Sequence, residues 1–351
     1  MAEVFDDSRL DDEGALSQAD PTLRRLAEAG SRVRREAGDA AEAIDQAVAG
    51  AAGESRPRAV VAAGPDSRLL RSVLEPSCPV PFVAWPGPSL PGWAGGLDLV
   101  VVLAPDGSDT GAASAVAEAV RRGCRVVVAC PPGSLVAEHA AGRDSTVLPC
   151  ASGDQLATAV VMLQLLCRLD LGPDTDAESV AQALDEVAVS CSPYRDLAVN
   201  PAKTLAIALA DATPLVWGGS VLAARAARRV AESVRRASGR TALAGDAEHL
   251  VPVIAAAAAP DLFADPFDDG GDDGGDADGD RRPVLLLLDD GADDASIREQ
   301  RARLVDEAED RRVRVETVAS EAGTDVARYA ALVATGTYAA AYLAVGLGRG
   351  H

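Results

Sequence analysis

The chain has few of the residues that usually build a metal site or a reactive centre. Its 351 residues include 3 histidines, 6 cysteines and 3% aromatic side chains, and Lys203 is the single lysine. No two cysteines form a CxxC pair, so we predict no metal site, and Cys124 and Cys130, in or beside an apolar run, are predicted to be buried, reduced thiols. With so few aromatic residues, any core must consist mainly of Ala, Val and Leu.

Positive charge is also scarce. The formal net charge is −21, which argues against binding to nucleic acid or to an anionic membrane surface, because both need basic patches. The sequence contains no run of about 18 uncharged apolar residues, so we expect no membrane span. The acidic N-terminus lacks the apolar segment of a secretion signal. We therefore expect a cytoplasmic protein.

Short apolar runs do occur, and they alternate with segments of helical periodicity. This alternation predicts an α/β fold with doubly wound parallel sheets, in two halves of similar βα character. We expect strands at 58–64, 80–85, 97–104, 124–130, 145–150, 213–218, 282–290 and 313–320. We expect helices within 15–50 and at 111–123, 133–141, 154–172, 174–192, 200–212, 221–237, 292–312 and 325–348.

One segment breaks this alternation. The stretch DPFDDGGDDGGDADGDRR begins at residue 265 and contains eight aspartates and five glycines. Glycine adds chain entropy and the aspartates repel one another, so we predict a disordered loop at 265–281. A calcium site is disfavoured, because the EF-hand spacing and its closing glutamate are missing.

Several stretches, taken in order, resemble one family. Residues 86–112, PGPSLPGWAGGLDLVVVLAPDGSDTGA, are similar to a motif of the form Y-x-LP-x-W-V-G-x-x-DLVV-x-x-SYSGNTEET in sugar isomerase (SIS) domain proteins of the bifunctional phosphoglucose/phosphomannose isomerase type. The matching residues are Leu90, Pro91, Trp93, Gly95, Asp98, Leu99, Val100, Val101 and Gly107. NPAKTLA (200–206), TPLVWGGS (213–220) and GTYAAAYLAVGLG (336–348) resemble later motifs of the family.

The resemblance implies two SIS domains, each with a five-stranded parallel sheet between helices (three layers, α/β/α). We accordingly expect N-terminal helices at 1–50, a first SIS domain at 51–155, linker helices at 156–195 and a second SIS domain at 196–348. The family usually forms homodimers and interconverts glucose 6-phosphate or mannose 6-phosphate with fructose 6-phosphate. It uses no metal or other cofactor. A Ser/Thr loop binds the phosphate, a glutamate moves the proton between C1 and C2, and a histidine helps to open the ring.

The resemblance also assigns candidate ligand-binding residues. They are Gly64, Ser67, Gly107, Ser108, Thr110, Gly219 and Ser220. When the phosphate loop is aligned on Gly107, however, the two family serines fall on Ala104 and Asp106, and the threonine falls on Asp109. At about 5 Å and an effective dielectric of about 20, one carboxylate repels each phosphate charge by roughly 3 kcal/mol. The alternative role for this loop is structural, with Asp106, Ser108 or Asp109 capping the next helix.

The catalytic glutamate of the family has no clear counterpart. Its position falls near Arg235, which stays protonated and cannot serve as a base. Glu232 lies about one turn earlier and replaces it only if the register differs. His249, in DAEHLVPV (246–253), matches the ring-opening histidine, although a histidine before an apolar run also serves as a packing residue.

Two functions remain open at this point. The chain is a catalytically degenerate SIS protein with a regulatory or scaffold role, or it is an active hexose-phosphate isomerase that uses His249 and Glu232. A nucleotide-binding oxidoreductase is disfavoured, because no GxGxxG follows the first strand.

Overall fold

The computed structural model describes residues 4–257 and 281–349. All but the last residue of the predicted Asp/Gly loop lies outside the described residues. The helices are α1 (Glu13–Ala27), α2 (Ala29–Gly50), α3 (Ser67–Leu74), α4 (Thr110–Arg121), α5 (Leu135–His139), α6 (Gln155–Arg168), α7 (Ala177–Ser190), α8 (Pro201–Ala210), α9 (Val221–Ser238), α10 (Ala247–Ala255), α11 (Ala295–Asp310) and α12 (Asp325–Gly346). The strands are β1 (Val60–Ala63), β2 (Phe82–Trp85), β3 (Leu99–Leu103), β4 (Arg125–Cys130), β5 (Ser145–Pro149), β6 (Thr213–Gly218), β7 (Leu243–Ala244), β8 (Pro283–Asp289) and β9 (Arg314–Ala319). Short 3-10 helices cover Asp7–Leu10 and Leu197–Val199.

The chain divides into two compact units, one nested in the sequence of the other. Ala29–Ala183 form the inner unit, and Met1–Glu28 together with Leu184–His351 form the outer unit. The division falls inside α7. It pairs the N-terminal segment with the second half of the chain, which differs from the predicted domain limits; those limits stay a prediction.

The inner unit contains a five-stranded parallel sheet in the order β2-β1-β3-β4-β5. Its central strands are continuous apolar runs, and all five residues of β3 are buried. Such runs form strands that are covered by helices on both faces. The core consists of Val and Ala, including Val61, Val100, Val128 and Ala115, as the low aromatic content requires.

A buried carboxylate closes the turn before β3. The Asp98 side chain is fully buried and accepts hydrogen bonds from Arg58 Nε (2.9 Å), Arg58 Nη2 (2.6 Å) and the Gly95 backbone N–H (2.9 Å). Arg58 also stacks over Trp93, 5.9 Å from the ring centroid. The charge of Asp98 is thereby fully compensated, which makes its burial tolerable. Asp98 and Trp93 of the SIS-like motif are therefore structural.

The outer unit contains a four-stranded parallel sheet among its described residues, in the order β7-β6-β8-β9. Leu215, Trp217, Leu285 and Leu287 form its core together with side chains of α10 and α11. On the other side, α12 packs against α8 and α9, and Gly336 permits the approach of α9, because a Cβ there would lie 2.4 Å from Val230.

α12 is, within the described residues, the one helix that is long and apolar enough to cross a membrane. Of its most apolar window, 78% is buried inside the protein. The core helices of water-soluble domains have the same composition, so the length and hydropathy of α12 are explained by its packing.

The single lysine holds three parts of the outer unit together. Lys203, with no exposed surface, pairs with Asp11 Oδ1 at 2.6 Å and donates to the carbonyl oxygens of Pro193 and Arg195, both at 3.0 Å. Its ammonium group also lies 5.7 Å from the ring centroid of Tyr342 in α12. The lysine in the NPAKTLA motif is thus a structural anchor, a role that the motif alone did not reveal.

The structure confirms the predicted fold class of parallel-sheet α/β layers. The predicted strands are all present, each within two residues of its expected limits. Three elements were missed, the eight-residue helix α3, the nine-residue helix α10 and the two-residue strand β7. All six cysteines are free, and Cys124 and Cys130 are buried, as predicted. Burial raises the pKa of Cys130 and Cys150.

Candidate functional site

The order of the strands places one candidate binding site in each unit. In the inner sheet the chain leaves β1 towards β2 and leaves β3 towards β4, so the connections diverge between β1 and β3. Ligands of doubly wound sheets bind at such switch points, beyond the carboxyl ends of the strands. The inner switch point is therefore flanked by loops 64–67 and 104–110, which contain five of the seven candidate ligand residues.

The loop after β3 is used to start a helix. The Asp109 carboxylate accepts a hydrogen bond from the Ala112 N–H at 2.6 Å and caps α4. Of the three capping alternatives, Asp109 is the one observed. Its charge lies at the positive end of the helix dipole, where an incoming phosphate would otherwise be stabilised. Ser108 and Thr110 are exposed beside it.

Gly107 has a packing role in the same loop. Its φ is +66°, and a Cβ on this residue would lie 2.4 Å from Ser134 Cβ. Ser134 in turn caps α5, as predicted, by accepting a hydrogen bond from the Ala137 N–H at 3.3 Å. The match of Gly107 to the SIS motif is therefore explained by the close contact between two loops.

Two further aspartates lie at the starts of the other helices at this edge. Asp154 caps α6 through the Leu156 and Ala157 N–H groups, and it forms an ion pair with Arg32 of α2. Asp66 precedes α3 and accepts a hydrogen bond from Gln155 Nε2. Each of the three helix N-termini is thus preceded by a carboxylate of this chain.

Buried Glu36 of α2 adds another carboxylate to this edge. Its oxygens accept hydrogen bonds from the Ala151 N–H at 3.0 Å and from the Ser152 N–H. These bonds satisfy backbone donors that follow β5, since buried N–H groups are costly when unpaired. The sequence offered no signal for this role, because Glu36 lies in a helix far away along the chain.

Two polar side chains at the inner switch point, those of Asp106 and Ser67, neither cap a helix nor bond a backbone N–H group of the described residues. Asp106 is exposed and forms no hydrogen bond or ion pair with the part of the chain that is described. Ser67, the first residue of α3, is 1% exposed, and its Oγ has no hydrogen-bond partner among the described residues. Gly64, with φ +87°, forms the turn between β1 and α3.

The outer switch point lies between β6 and β8, where the connections again diverge. Ser220 caps α9 by accepting from the Ala223 N–H at 2.9 Å, and its hydroxyl donates a hydrogen bond to Asp290. Asp289 pairs with Arg301 at 2.8 Å, and this hydrogen-bonded arginine lowers the pKa of Asp289. The candidate ligand residue Ser220 is therefore already hydrogen bonded across the switch point.

Gly219 is also explained by packing. A Cβ at this position would lie 2.4 Å from Ile297 Cγ2 and 2.9 Å from Trp217 Cη2. The Gly-Gly-Ser turn therefore brings α11 close to the end of β6.

The two candidates for the base are engaged elsewhere. Glu232 accepts hydrogen bonds from Arg229 at 2.8 Å and from Arg236 at 2.7 Å. It lies 12 residues after Ser220 on α9, or about 18 Å at 1.5 Å per residue. Arg235 donates to the Ala242 carbonyl oxygen at 2.6 Å. Within one chain, the structure does not bring Glu232 to the outer switch point.

His249 is placed more favourably. It lies in the first turn of α10, directly after β7, and β7 pairs in parallel with β6. His249 and Ser220 therefore belong to the same carboxyl edge of the outer sheet. The imidazole is on an exposed residue, and neighbouring Asp246 lies 4.0 Å from Arg228.

The described residues do not bring together the donors that a metal site needs. Within residues 4–257 and 281–349, no group of three or more His, Cys, Asp or Glu side chains is placed to hold a metal ion.

Comparison with known proteins identifies the outer unit. Residues 198–349 match the family model described as the bacterial phospho-glucose isomerase C-terminal SIS domain. This stretch of the chain is therefore an SIS domain. Among curated proteins, no sequence matches it significantly.

Solved structures resemble the fold of most of the chain. Tagatose-6-phosphate ketose/aldose isomerase from Escherichia coli has a TM-score of 0.67 at 13% identity, with 95% of each chain covered. The C-terminal domain of glucosamine-fructose-6-phosphate aminotransferase from Francisella tularensis has a TM-score of 0.58 at 10% identity, with 90% of this chain and 96% of that chain covered. At such identities the likeness concerns the fold.

Proposed function

We propose that this SIS protein binds a carbohydrate derivative, has lost hexose-phosphate isomerisation, and acts as a regulatory or scaffold protein. The observation that carries the proposal is the Asp109 cap. It puts a carboxylate at the helix N-terminus where the SIS motif would hold the phosphate dianion. Because an anion there would meet the charges of Asp109 and Asp106, the phosphate would lose affinity rather than gain it.

The missing base supports the same conclusion. Arg235 stands near the expected glutamate position, and Glu232 is held by two arginines. Losing a positioned base typically costs about 10²- to 10⁴-fold in rate.

A direct assay tests the proposal. The purified full-length protein is incubated with glucose 6-phosphate or mannose 6-phosphate, and fructose 6-phosphate is detected through a coupled reaction. We expect no turnover above the no-enzyme rate and no thermal shift with any of the three sugar phosphates. Turnover that is abolished in His249→Ala would overturn the proposal.

An active isomerase is the second candidate, and the placement of His249 favours it. A histidine at the carboxyl edge of the outer sheet can reach a ligand at the outer switch point, as ring opening would require. If this candidate is correct, Glu232→Gln should lower turnover with little change in KM, whereas Glu248→Gln, one residue before His249, should leave it unchanged.

We also propose that the protein is a cytoplasmic homodimer that needs no cofactor and binds neither nucleic acid nor membranes. The net charge of −21 supports the last two points, since it repels polyanionic surfaces. Light scattering at two protein concentrations tests the dimer; a mass of one chain at both would contradict it.

A further inference from the structure

We propose that the inner switch point binds a small organic ammonium ion, such as the protonated amine of an amino sugar. This inference rests on the proposed function, because it names the chemistry that replaces phosphate recognition at that site. It follows from the arrangement of Asp106, Asp66 and Ser67 around one short segment.

The first observation is that two carboxylates converge on the segment 153–155. Asp66 accepts a hydrogen bond from Gln155, and Asp106 Oδ1 lies 3.5 Å from the place that a Cβ on Gly153 would occupy. Asp66 follows β1 and Asp106 follows β3, so the carboxylates come from the two loops that flank the switch point. A ligand entering there meets negative charge from both sides.

The second observation concerns the charges that could compensate these carboxylates. The positive N-terminal ends of the dipoles of α4 and α6 are already compensated by the carboxylates of Asp109 and Asp154, which cap these helices. Arg32 is paired with Asp154, which leaves Arg68, exposed in the first turn of α3, as a nearby cation. The charge of Asp106 is therefore in excess of what the helix ends require, and a cationic ligand would balance it.

The third observation is independent of charge. Ser67 Oγ is buried and has no hydrogen-bond partner in the described part of the chain. An unpaired buried hydroxyl is costly, and native proteins rarely keep one without a reason. Ser67 is the first residue of α3, and this helix begins at the carboxyl edge of the sheet, so the unpaired hydroxyl belongs to a residue at the switch point. A ligand with hydroxyl or ammonium donors would satisfy it.

An aromatic residue lies next to the same loop, with its indole N–H donating to the Pro88 carbonyl oxygen at 3.4 Å. Trp85 ends β2 and is 38% exposed, and its carbonyl accepts a hydrogen bond from the Gly64 N–H at 3.0 Å. It therefore stands beside the loop that contains Asp66 and Ser67. Indole rings attract organic cations and also pack against sugar rings, whereas a metal ion would gain nothing from Trp85.

Binding of defined probes to the full-length protein tests the inference. Isothermal titration and thermal shift are measured with glucosamine, putrescine, N-acetylglucosamine, glucose 6-phosphate and MgCl₂, in slightly acidic buffer that keeps the amines protonated. We expect glucosamine to bind, and N-acetylglucosamine and glucose 6-phosphate to bind at least about tenfold more weakly. Comparable binding of putrescine would assign the site to a plain amine rather than to an amino sugar.

Variants locate the site. Asp106→Asn should weaken glucosamine binding about tenfold, whereas Asp144→Asn, at the opposite edge of the same sheet, should leave it unchanged. Ser67→Ala should weaken binding without lowering the melting temperature, because it removes an unpaired buried hydroxyl. Arg68→Ala should leave glucosamine binding intact or improve it.

The inference is overturned if glucosamine does not bind, if Asp106→Asn does not weaken its binding, or if MgCl₂ gives an equal shift that Asp106→Asn removes. It is also overturned if glucose 6-phosphate binds and Arg68→Ala abolishes that binding. The hexose-phosphate assay reports separately on the proposed function. Absence of both turnover and glucosamine binding would reject the inference alone.

Discussion

The two switch points of this protein have the same topology but differ in whether their polar side chains are hydrogen bonded to each other. At the outer one, the hydroxyl of Ser220 is bonded to Asp290, so the polar groups of the two loops satisfy each other. At the inner one, Asp106 and the Ser67 hydroxyl have no such partner among the described residues. One site is closed by its own side chains and the other is left with unused polar groups. Acidic residues at two switch points of the same topology therefore have two different consequences.

The largest expected effect comes from restoring the phosphate loop. Asp106→Ser combined with Asp109→Thr removes two carboxylates and returns two hydroxyls, and threonine can still cap α4. We expect the affinity for glucose 6-phosphate to rise about a hundredfold at the inner switch point. Titration calorimetry measures the gain, with Asp144→Asn as the control. No gain would mean that this loop is not a former phosphate site.

The next effect concerns the stability of the outer unit. Lys203→Ala should lower its free energy of unfolding by about 3 kcal/mol, since two carbonyl oxygens lose their donor and a cavity forms. Urea unfolding is followed by the fluorescence of Trp217, after Trp85 and Trp93 of the inner unit are changed to Phe. Arg24→Ala, which breaks an exposed ion pair with Asp20, is the matched control and should cost under about 0.5 kcal/mol. Equal costs would show that Lys203 is not an anchor.

A smaller effect compares the two switch points directly. Asp290→Ala breaks the bond from Ser220 and should cost about 1.5 kcal/mol of stability. The same change at Asp106 should stay within about 0.5 kcal/mol, because this side chain has no partner to lose among the described residues. Chemical denaturation of both variants provides the comparison. Similar losses would contradict the distinction between a closed and an open site.

The smallest effect is the pH dependence of Asp289. The pKa of Asp289 is lowered, mainly by the hydrogen bond from Arg301. The ionised carboxylate therefore stabilises the folded protein fully above the ordinary aspartate pKa of 3.8. This contribution is lost as the pH falls through the lowered pKa. At neutral pH, Asp289→Asn should therefore lower the free energy of unfolding by under about 1 kcal/mol, which thermal melting detects as a slightly lower melting temperature. The difference should vanish in strong acid. A difference that persists there would mean that packing, not charge, is responsible.

The elements of the fold were largely predictable from the sequence, because buried parallel strands are continuous apolar runs. β3 and β8 illustrate this. β7 was missed because two residues cannot show a pattern, and α3 because its eight residues follow a short loop. The grouping of residues 1–28 with the outer unit was not predictable, since an amphipathic helix does not specify which surface it covers.

The candidate site was predictable in part. Helix capping in the loop after β3 was foreseen, but the choice of Asp109 over Asp106 and Ser108 depends on backbone geometry. Glu36 and Lys203 act at positions distant along the chain, and no local pattern indicates such contacts. The pairing of Ser220 with Asp290 was hidden for the same reason, because the two residues lie 70 positions apart.

The nesting of one unit inside the other has a consequence for biosynthesis. Phe5 packs against Gly346, and the backbone of Asp6 bonds to the Gly346 carbonyl oxygen at 3.0 Å. On a ribosome, the first segment of the nascent chain must therefore wait for nearly the whole polypeptide before it meets its partner helix. At usual elongation rates this delay is on the order of tens of seconds. The inner unit emerges completely during that interval, while Leu10 and Leu23, both buried in the finished protein, are still without cover. Chaperones that recognise nascent apolar segments would find their substrate there.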